Sequence, residues 1–370
     1  MYSQIKKFIK KPNVLLVLIF LTAIIKSGVW IMGNLETTRL IAENPFVNPF
    51  DNSDADYLIN SWLLNFIAYS VRATSPINYL ALHIFFTILA ILVGVVSVKR
   101  RMQIENNNYA PYMFVMLPVS AGIFYWVGMD GFLFLLLILY FAIKRKKLTV
   151  VLGILVGMQH FEIGIIAVTS LIFYDALTKK NTLHGLIRAR TTFFAVGVVL
   201  GKLTLITLFN VNNLFVRESR YSLGFDNVIH NLVDNVRYLP AAIFSAIGIF
   251  WILVLKLEKN KQKAFLISFL IPVVASLFVW DQTRILQQSS ILIVMRAFVL
   301  NKNLVTGFKL EEIKYFFFAW LIIPWVWVWQ DFLGPITGYN IMILVSRIFN
   351  TDTAPVNSEL FWWIFSRNLL

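Results

Sequence analysis

Long apolar runs, separated by short polar or charged segments, dominate the chain. About 20 apolar residues in a helix cross the core of a bilayer, and most of the runs reach or approach that length. They cover 13–33, 77–98, 110–127, 132–143, 191–209, 239–255, 264–279, 285–300 and 315–329. With the helical pair described below, the pattern predicts an all-α transmembrane bundle of about ten membrane-embedded segments. Residues 1–370 then form a single transmembrane domain.

The composition agrees with a membrane protein and excludes several kinds of site. Apolar residues make up 58% and charged residues 14%, whereas a soluble domain has roughly 45–50% and about 25%. The net charge of +14 comes from basic residues in short loops, which is typical of cytoplasmic loops and not of a nucleic-acid partner. The absence of cysteine excludes disulfides and thiolate metal sites.

The positions of basic residues predict the orientation of the chain. Basic residues before the first run place the N-terminus in the cytoplasm of a bacterial-type inner (plasma) membrane; they are Lys6, Lys7, Lys10 and Lys11. This run reads as a retained first helix because no small-residue cleavage site follows it. Segment 34–76 is then on the predicted outer side, while the basic clusters at 99–101 and 144–147 are on the predicted inner side.

Residues 148–177 are predicted to form two short helices. Basic clusters at 144–147 and 179–190 flank this run, so both of its ends belong on the inner side. The run is too short for two full spans, and Gln159-His160-Phe161-Glu162 interrupts its middle. Since non-helical backbone at membrane depth needs protein or a water-filled cavity around it, we expect a cavity that opens to the outer side.

An acidic stretch lies on the predicted outer side, at Asp51-Asn52-Ser53-Asp54-Ala55-Asp56-Tyr57. Asn44-Pro45 and Asn48-Pro49 precede it and favour an ordered turn. A helical pattern begins near Tyr57, so Asp54 or Asp56 lies near a helix N-terminus, where a carboxylate is stabilised. A solvated loop with a helix cap explains the same residues.

Ionisable residues collect at the predicted outer side, which indicates one site of mixed charge. They are Asp54, Asp56, Asp130, His160, Glu162, Lys202, Arg217, Arg220, Asp281 and Arg284. Simpler explanations stay open, since Asp281 can pair with Arg284 and His160 with Glu162. His83 is expected in the core, and Lys26 and Arg296 near span ends are expected to snorkel.

Carboxylates beside basic groups suit a general base with a phosphate clamp. On the outer face, this combination suits transfer from a lipid-phosphate donor. Asp54 and Asp56 can also serve as ligands of a divalent cation such as Mg²⁺ or Mn²⁺. The sequence contains no P-loop, Gly-rich dinucleotide turn, His-Glu-x-x-His or nucleophile elbow.

Three motifs, in this order, resemble the GT-C superfamily of polytopic glycosyltransferases. Asp54-Ala55-Asp56-Tyr57 is similar to the Asp-x-Asp of the first external loop in some members. Met129-Asp130-Gly131-Phe132-Leu133 then leads into a Leu-rich span, and Gly153 to Glu162 resembles a Gly-x-x-x-Gly segment with a polar break. The resemblance covers roughly 13–210, and 211–370 corresponds to the C-terminal helices that vary in that superfamily.

The resemblance implies inverting transfer of a sugar from a polyprenyl-phosphate-linked donor to a glycan or lipid acceptor on the extracytoplasmic face. Asp54 or Asp56 would be the base or would hold the metal. The donor phosphate would be held by Lys202, Arg217, Arg220 or Arg284. The residues expected to line the sugar and acceptor sites are Tyr57, Asp130, Gln159, His160, Glu162 and Asp281.

Other functions remain open on the sequence. An O-antigen or exopolysaccharide polymerase also has acidic and arginine-rich external loops, although the arginines here concentrate in one segment, 217–237. A transporter or flippase would line a path to both sides, often with inverted repeats. A membrane-bound acyltransferase would use His160 as its base. A purely structural subunit needs none of these roles.

Overall fold

The computed structural model is almost entirely helical, as predicted. It describes residues 12–27, 35–50, 56–102, 109–125, 127–179, 185, 189–214, 216, 220–279, 281–307, 310–323, 326–329 and 332–335. The first half contains α1 (Pro12–Ser27), α2 (Leu35–Glu43), a 3-10 helix (Asp56–Asn60), α3 (Trp62–Ser70), α4 (Pro76–Met102), α5 (Ala110–Met116), α6 (Pro118–Tyr125), α7 (Met129–Ala142) and α8 (Lys146–Lys179).

The second half continues with helices and ends in a short ribbon. Its elements are α9 (Arg190–Val211), α10 (Arg220–Ile247), a 3-10 turn (Gly248–Phe250), α11 (Trp251–Lys256), α12 (Lys259–Ser276), α13 (Gln282–Val294), a π-helix (Met295–Val299), α14 (Lys302–Thr306), α15 (Leu310–Ile322), β1 (Val326–Trp329) and β2 (Phe332–Pro335). The two strands pair antiparallel, with Val326 opposite Pro335.

Four helices in the described part of the chain are long and apolar enough to cross a membrane. They cover Pro76–Met102, Lys146–Thr178, Arg190–Val211 and Asn235–Lys256, and two shorter apolar helices cover Val14–Lys26 and Met129–Ala142. Their surfaces carry exposed Leu, Ile, Val and Phe side chains, including Leu92 at 58% and Val211 at 76%. Such surfaces indicate a membrane protein.

The predicted span at 110–127 is two short helices. Leu117 adopts an extended conformation (φ −60°, ψ 135°) between α5 and α6. Pro118 accounts for the break, because its ring disfavours helical backbone at the preceding residue and Pro itself begins a helix well. The prediction of one continuous helix was therefore wrong here.

Helix α7 lies at the centre of the bundle. Nearly all its residues are buried, and it is apolar on every side, which is typical of a helix surrounded by others. It packs closely on α4, since a Cβ added to Gly131 would lie 2.1 Å from Thr87 Oγ1. Helix α13 is similarly buried, although half of it is polar, so its side chains must find partners inside the bundle.

Helices α8 and α9 approach each other through glycines. A Cβ at Gly153 would lie 2.4 Å from Phe194 O, and one at Gly157 would lie 2.1 Å from Val198 O. Gly197 and Gly201 face them from α9 with equally close contacts. Small residues four positions apart allow two membrane helices to bring their backbones together, so the Gly-x-x-x-Gly segment of α8 serves helix packing.

The predicted span at 315–329 ends early. Helix α15 stops at Ile322, and Val326–Trp329 forms strand β1. Pro324 disfavours helical backbone just before it. Val328 is buried and its N–H donates to Thr283 Oγ1 at 3.0 Å, so β1 packs on α13. The side chains of Trp325, Trp327 and Trp329, assigned to an interfacial belt in the sequence, and residues 336–370 lie outside the described residues.

Lys26 is buried, so the prediction that it snorkels was wrong. Its ammonium donates to the backbone carbonyls of Trp320, Leu321 and Ile323 and lies 5.3 Å from the centre of the Trp320 ring. These carbonyls are at the C-terminal end of α15, where the helix dipole favours a cation. Lys26 therefore joins the first helix to α15.

Candidate functional site

Helix α8 is interrupted at His160, as predicted. His160 has φ −160° and ψ 89°, which is not helical. A Cβ added to Gly164 would lie 2.5 Å from Val156 Cγ1, whereas eight residues of straight helix separate two positions by about 12 Å. The two halves of α8 therefore bend sharply back toward each other, and the bend presents the polar sequence 159–162.

Two Asn-Pro pairs shape the segment before the acidic stretch. The side chain of Asn44 accepts from the N–H of Phe46 at 3.1 Å, and that of Asn48 accepts from the N–H of Phe50 at 3.0 Å. An Asn that bonds its own backbone two residues on is a common turn, which confirms the predicted ordered turn. Trp62 Nε1 then donates to Pro45 O at 2.7 Å inside the protein.

A buried hydrogen-bond network joins α2, α3 and α4. The Tyr79 hydroxyl lies 2.7 Å from Asn65 Oδ1 and 3.2 Å from Thr38 Oγ1. Asn65 Nδ2 donates to Ser61 O at 3.2 Å. All of these side chains are buried, so the network fixes the segment that carries the acidic stretch.

This segment lies against α9. A buried cluster joins it to the last turns of that helix; its members are Ile41, Phe50, Leu58, Ile59, Trp62, Leu205, Phe209 and Leu214. Met158, next to the break in α8, packs on the same cluster, as does Tyr57. The acidic segment, the end of α9 and the break in α8 are therefore neighbours.

Gln159 caps α3 from a distance. Its Oε1 accepts from the N–H of Leu64 at 2.9 Å, and Gln159 is 1% exposed. Leu64 is in the first turn of α3, whose N–H groups have no partner within the helix, and the side chain of Ser61 does not cap it. The structure gives Gln159 this positioning role, and the sugar contact that the resemblance implies stays a prediction.

Lys202 connects α9 to the 3-10 helix of the acidic segment. Its Nζ donates to Asn60 Oδ1 at 3.1 Å and lies 6.0 Å from the centre of the Phe161 ring. Asp56 begins the same 3-10 helix, about 8 Å along its axis from Asn60 at roughly 2 Å per residue. Asp54 and the side chain of Asp56 lie outside the described residues.

His160 and Glu162 pair with each other, as the sequence allows. His160 Nδ1 and Glu162 Oε2 are 3.2 Å apart, and their side chains are 18% and 19% exposed. Both remain accessible beside the break. We call the residues gathered here the Lys202 site: helix Asp56–Asn60, Gln159, His160, Glu162 and Lys202.

A second group of charges joins α7 to α13. Arg284 Nε lies 2.6 Å from Asp281 Oδ2, and its NH1 lies 3.1 Å from Asp130 Oδ2. The pairing of Asp281 with Arg284 that the sequence leaves open is therefore present, with Asp130 added. Asp281 also caps α13 by accepting from the N–H of Arg284 at 3.3 Å. Burial raises the pKa of Asp281 to about 6.

These contacts weigh against the roles predicted for this group. Two carboxylates already surround the guanidinium of Arg284, so it is a poor phosphate clamp. Asp130 and Asp281 are 4% and 5% exposed, which leaves little surface for a sugar. The group instead locks two helix N-termini together, where carboxylates are also stabilised by the dipoles.

Several residues predicted for the site lie outside the described part of the chain. Arg217 and the side chain of Arg220 lie outside the described residues. The side chains of Asp54 and Asp56, the predicted ligands of a divalent cation, also lie outside them. Within the described part of the chain, no group of three or more His, Asp or Glu residues could hold a metal ion. No local pattern indicates the contacts of Asn60 and Leu64, because they depend on tertiary packing.

A shallow groove of about 490 Å³ runs along α9 but is separate from the Lys202 site. Its lining residues all lie on one face of the helix; they are Leu200, Leu203, Thr204, Thr207, Leu208, Val211 and Asn212. Lys202 follows Leu200 by about 200° around the helix, so it points away from the groove. The groove belongs to the apolar outer surface of α9.

No protein-family model, curated protein or solved structure matches the chain.

Proposed function

We propose that the protein is a membrane glycosyltransferase with a GT-C-like arrangement of about ten membrane-embedded segments. It transfers a sugar from a polyprenyl-phosphate donor to a glycan or lipid acceptor on the extracytoplasmic face of a bacterial-type inner membrane, with its N-terminus in the cytoplasm. The observation that carries the proposal is the 3.1 Å contact of Lys202 Nζ with Asn60 Oδ1. It joins a cation on a membrane helix to the segment that contains Asp56.

The surroundings of Lys202 support binding of a phosphate near the acidic segment. Lys202 is partly buried, and a buried ammonium interacts more strongly with an anion than an exposed one does. Asn60 Oδ1 is a neutral acceptor of this hydrogen bond. Phe161 lies over the same ammonium, and an aromatic face tolerates a cation without neutralising it.

The chemistry follows from this arrangement. Asp54 or Asp56 takes the proton of the acceptor hydroxyl, whose oxygen attacks the anomeric carbon of the donor. The bond from that carbon to the phosphate oxygen breaks with inversion, and polyprenyl phosphate leaves. Lys202 stabilises the negative charge that develops on the leaving phosphate. His160 and Glu162 are accessible at the break, which supports a role for them in contacting the sugar hydroxyls.

A divalent cation suits the carboxylate oxygens of Asp54 and Asp56 but is not needed for these steps. Carboxylate oxygens suit Mg²⁺ and Mn²⁺, and Asp54 and Asp56 would hold the ion. Bound there, it would supply additional positive charge for the donor phosphate.

The test measures release of polyprenyl phosphate from a panel of polyprenyl-phosphate monosaccharides by the protein in nanodiscs, with extracted cell-envelope glycans as acceptors. The variant that combines Asp54→Asn and Asp56→Asn should lose the activity by about 10²-fold or more, the usual contribution of a general base. Asp226→Asn is the matched control, because Asp226 is an exposed acid of α10. Full activity in the double variant would exclude these residues as the base.

The same assay separates the alternatives. Consumption of diphosphate-linked oligosaccharides with chain growth, and no turnover of monophosphate donors, would indicate a polymerase. Movement of a labelled lipid-linked sugar across proteoliposomes without release of polyprenyl phosphate would indicate a flippase.

A further inference from the structure

Three arginines converge at the predicted inner end of the bundle. Arg101 lies near the end of α4, Arg190 begins α9, and Arg296 lies in the π-helix after α13. Arg101 and Arg190 both contact the C-terminal end of α7, and the positive charges of Arg190 and Arg296 both reach Arg101. We call them the inner arginine cluster; none of them has a part in the Lys202 site.

Two of these arginines surround the last turn of α7. Arg101 Nε donates to Phe141 O at 2.5 Å. Arg190 donates to Ile143 O and lies 4.2 Å from the centre of the Tyr140 ring. A helix C-terminus attracts cations, which explains part of the clustering. Each contact uses one N–H of a guanidinium that has five.

The third arginine of the cluster, Arg296, lies in the π-helix Met295–Val299. Leu300 N bonds Met295 O at 2.9 Å, a spacing of five residues, and such π-turns often occur at functional sites. Arg296 Nε lies 3.5 Å from Asp175 Oδ1. Within the described residues, Asp175 is the carboxylate that pairs with the cluster. Glu258, another acid on the predicted inner side, accepts hydrogen bonds from Lys261 at 2.8 Å and from Asn303 at 3.1 Å.

The cluster therefore has an excess of positive charge. Three guanidinium groups face one carboxylate and the partial negative charge of one helix end. Arg101 and Arg190 are partly buried, so water screens their repulsion less than it would on an open surface. An anion with several acceptor oxygens would remove this repulsion and use the remaining donors.

We propose that the inner arginine cluster binds the phosphate of an anionic phospholipid from the cytoplasmic leaflet. The cluster lies at the ends of apolar helices α4, α7 and α9, which is the depth at which headgroup phosphates are found. Guanidinium groups bind phosphate oxygens in pairs, which favours this ligand over a simple halide. The proposal depends on the predicted membrane orientation for the leaflet, and not on the glycosyltransferase activity.

Native mass spectrometry of the purified full chain tests the proposal, with phosphatidylglycerol and phosphatidylcholine as competing lipids. The variant that combines Arg101→Gln and Arg190→Gln keeps amide donors for the α7 carbonyls but loses two charges. At roughly fivefold for each of the two charges, we expect retention of phosphatidylglycerol to weaken about 25-fold. Arg101→Lys with Arg190→Lys should restore most of it. Arg100→Gln, at an exposed neighbouring position, should change little.

Three outcomes would overturn the proposal. The first is equal retention of phosphatidylglycerol by the wild type and the Gln variant, which would leave the arginines as caps of α7. The second is equal loss in the Arg100→Gln control. The third is binding of inorganic phosphate, but not phosphatidylglycerol, to the cluster. If the Gln variant does not fold, Arg190→Lys with Arg296→Lys in the wild-type background should retain the lipid, and its loss there would contradict a charge-based site.

Discussion

The side-chain oxygen of Gln159 accepts a 2.9 Å hydrogen bond from the backbone N–H of Leu64, 95 positions earlier in the chain. The substitution Gln159→Leu keeps a side chain of similar size but leaves the buried N–H of Leu64 without its acceptor. Loss of a cap costs about 1 kcal/mol, and an unsatisfied buried donor costs about 1–3 kcal/mol. We expect the free energy of unfolding, measured by chemical denaturation in detergent, to decrease by about 1–3 kcal/mol.

The control for this variant is Thr207→Val, because Thr207 is exposed on α9 and bonds its own helix. It should change stability little. An unchanged stability in Gln159→Leu would show that another group caps α3. If the cap positions the acidic segment, Gln159→Leu should also slow transfer without changing the pH profile of the reaction.

The glycine contact between α8 and α9 gives a packing prediction. In Gly157→Ala the new Cβ would lie 2.1 Å from Val198 O, and neither backbone can move easily. Overpacking of this kind usually costs about 1–3 kcal/mol, so the thermal unfolding temperature should drop. Val199→Ala on the exposed side of α9 is the control. A stable Gly157→Ala protein would mean that the helices separate more readily than their contacts indicate.

Asp281 gives a pH prediction. Burial raises its pKa from the ordinary 3.8 to about 6, so between these values the folded protein binds more protons than the unfolded chain does. By linkage, the contribution of Asp281 to stability falls as pH rises from about 4 to about 6. Asp281→Asn keeps an acceptor for Arg284 but cannot titrate. The slope of stability against pH in this window should therefore be less negative in the variant than in the wild type.

Arg284 contacts the carboxylates of both Asp130 and Asp281, so the charge of Asp130 must also be considered in the measurement. Asp130→Asn removes the neighbouring negative charge that also raises the pKa of Asp281. It should shift the window to lower pH and leave the sign of the slope. The same slope in wild type and Asp281→Asn would assign the titration to another group.

The predicted orientation can be tested by labelling, because the chain has no cysteine. Single cysteines at Asn52 and His160 should react with a membrane-impermeant maleimide from outside intact cells. Cysteines at Lys146 and Asn181 should react only after the membrane is opened. Labelling of the cysteine at 181 from outside would contradict a bend in α8 with both of its ends in the cytoplasm.

The apolar runs and polar breaks predict much of the helical structure. The interruption at His160 is visible in the sequence because basic clusters flank a run that is too short for two spans. The division at Leu117 and the strand at Val326–Trp329 were missed, although Pro118 and Pro324 give a local signal for each. The use of Gln159 as a cap and of Asp130 as a second partner for Arg284 could not be read from the sequence, since each depends on which helices become neighbours.

Lys202 offers the sharpest prediction about the site. Lys202→Met keeps most of the apolar stem and removes the charge, whereas Lys202→Arg keeps the charge. A charge-assisted contact to phosphate contributes about 1.5–3 kcal/mol, so we expect Lys202→Met to bind polyprenyl phosphate at least about tenfold more weakly. Binding is measured by native mass spectrometry or by competition with a labelled donor.

Lys202→Arg should bind within a few-fold of the wild type, and Lys147→Met, on the predicted inner side and exposed, should bind equally well. If Lys202 only supports the fold through Asn60, Lys202→Met would lower stability and leave the affinity of the folded fraction for polyprenyl phosphate unchanged. Affinity and stability measured on the same preparation therefore distinguish a phosphate clamp from a structural contact, because only the clamp requires positive charge at this position.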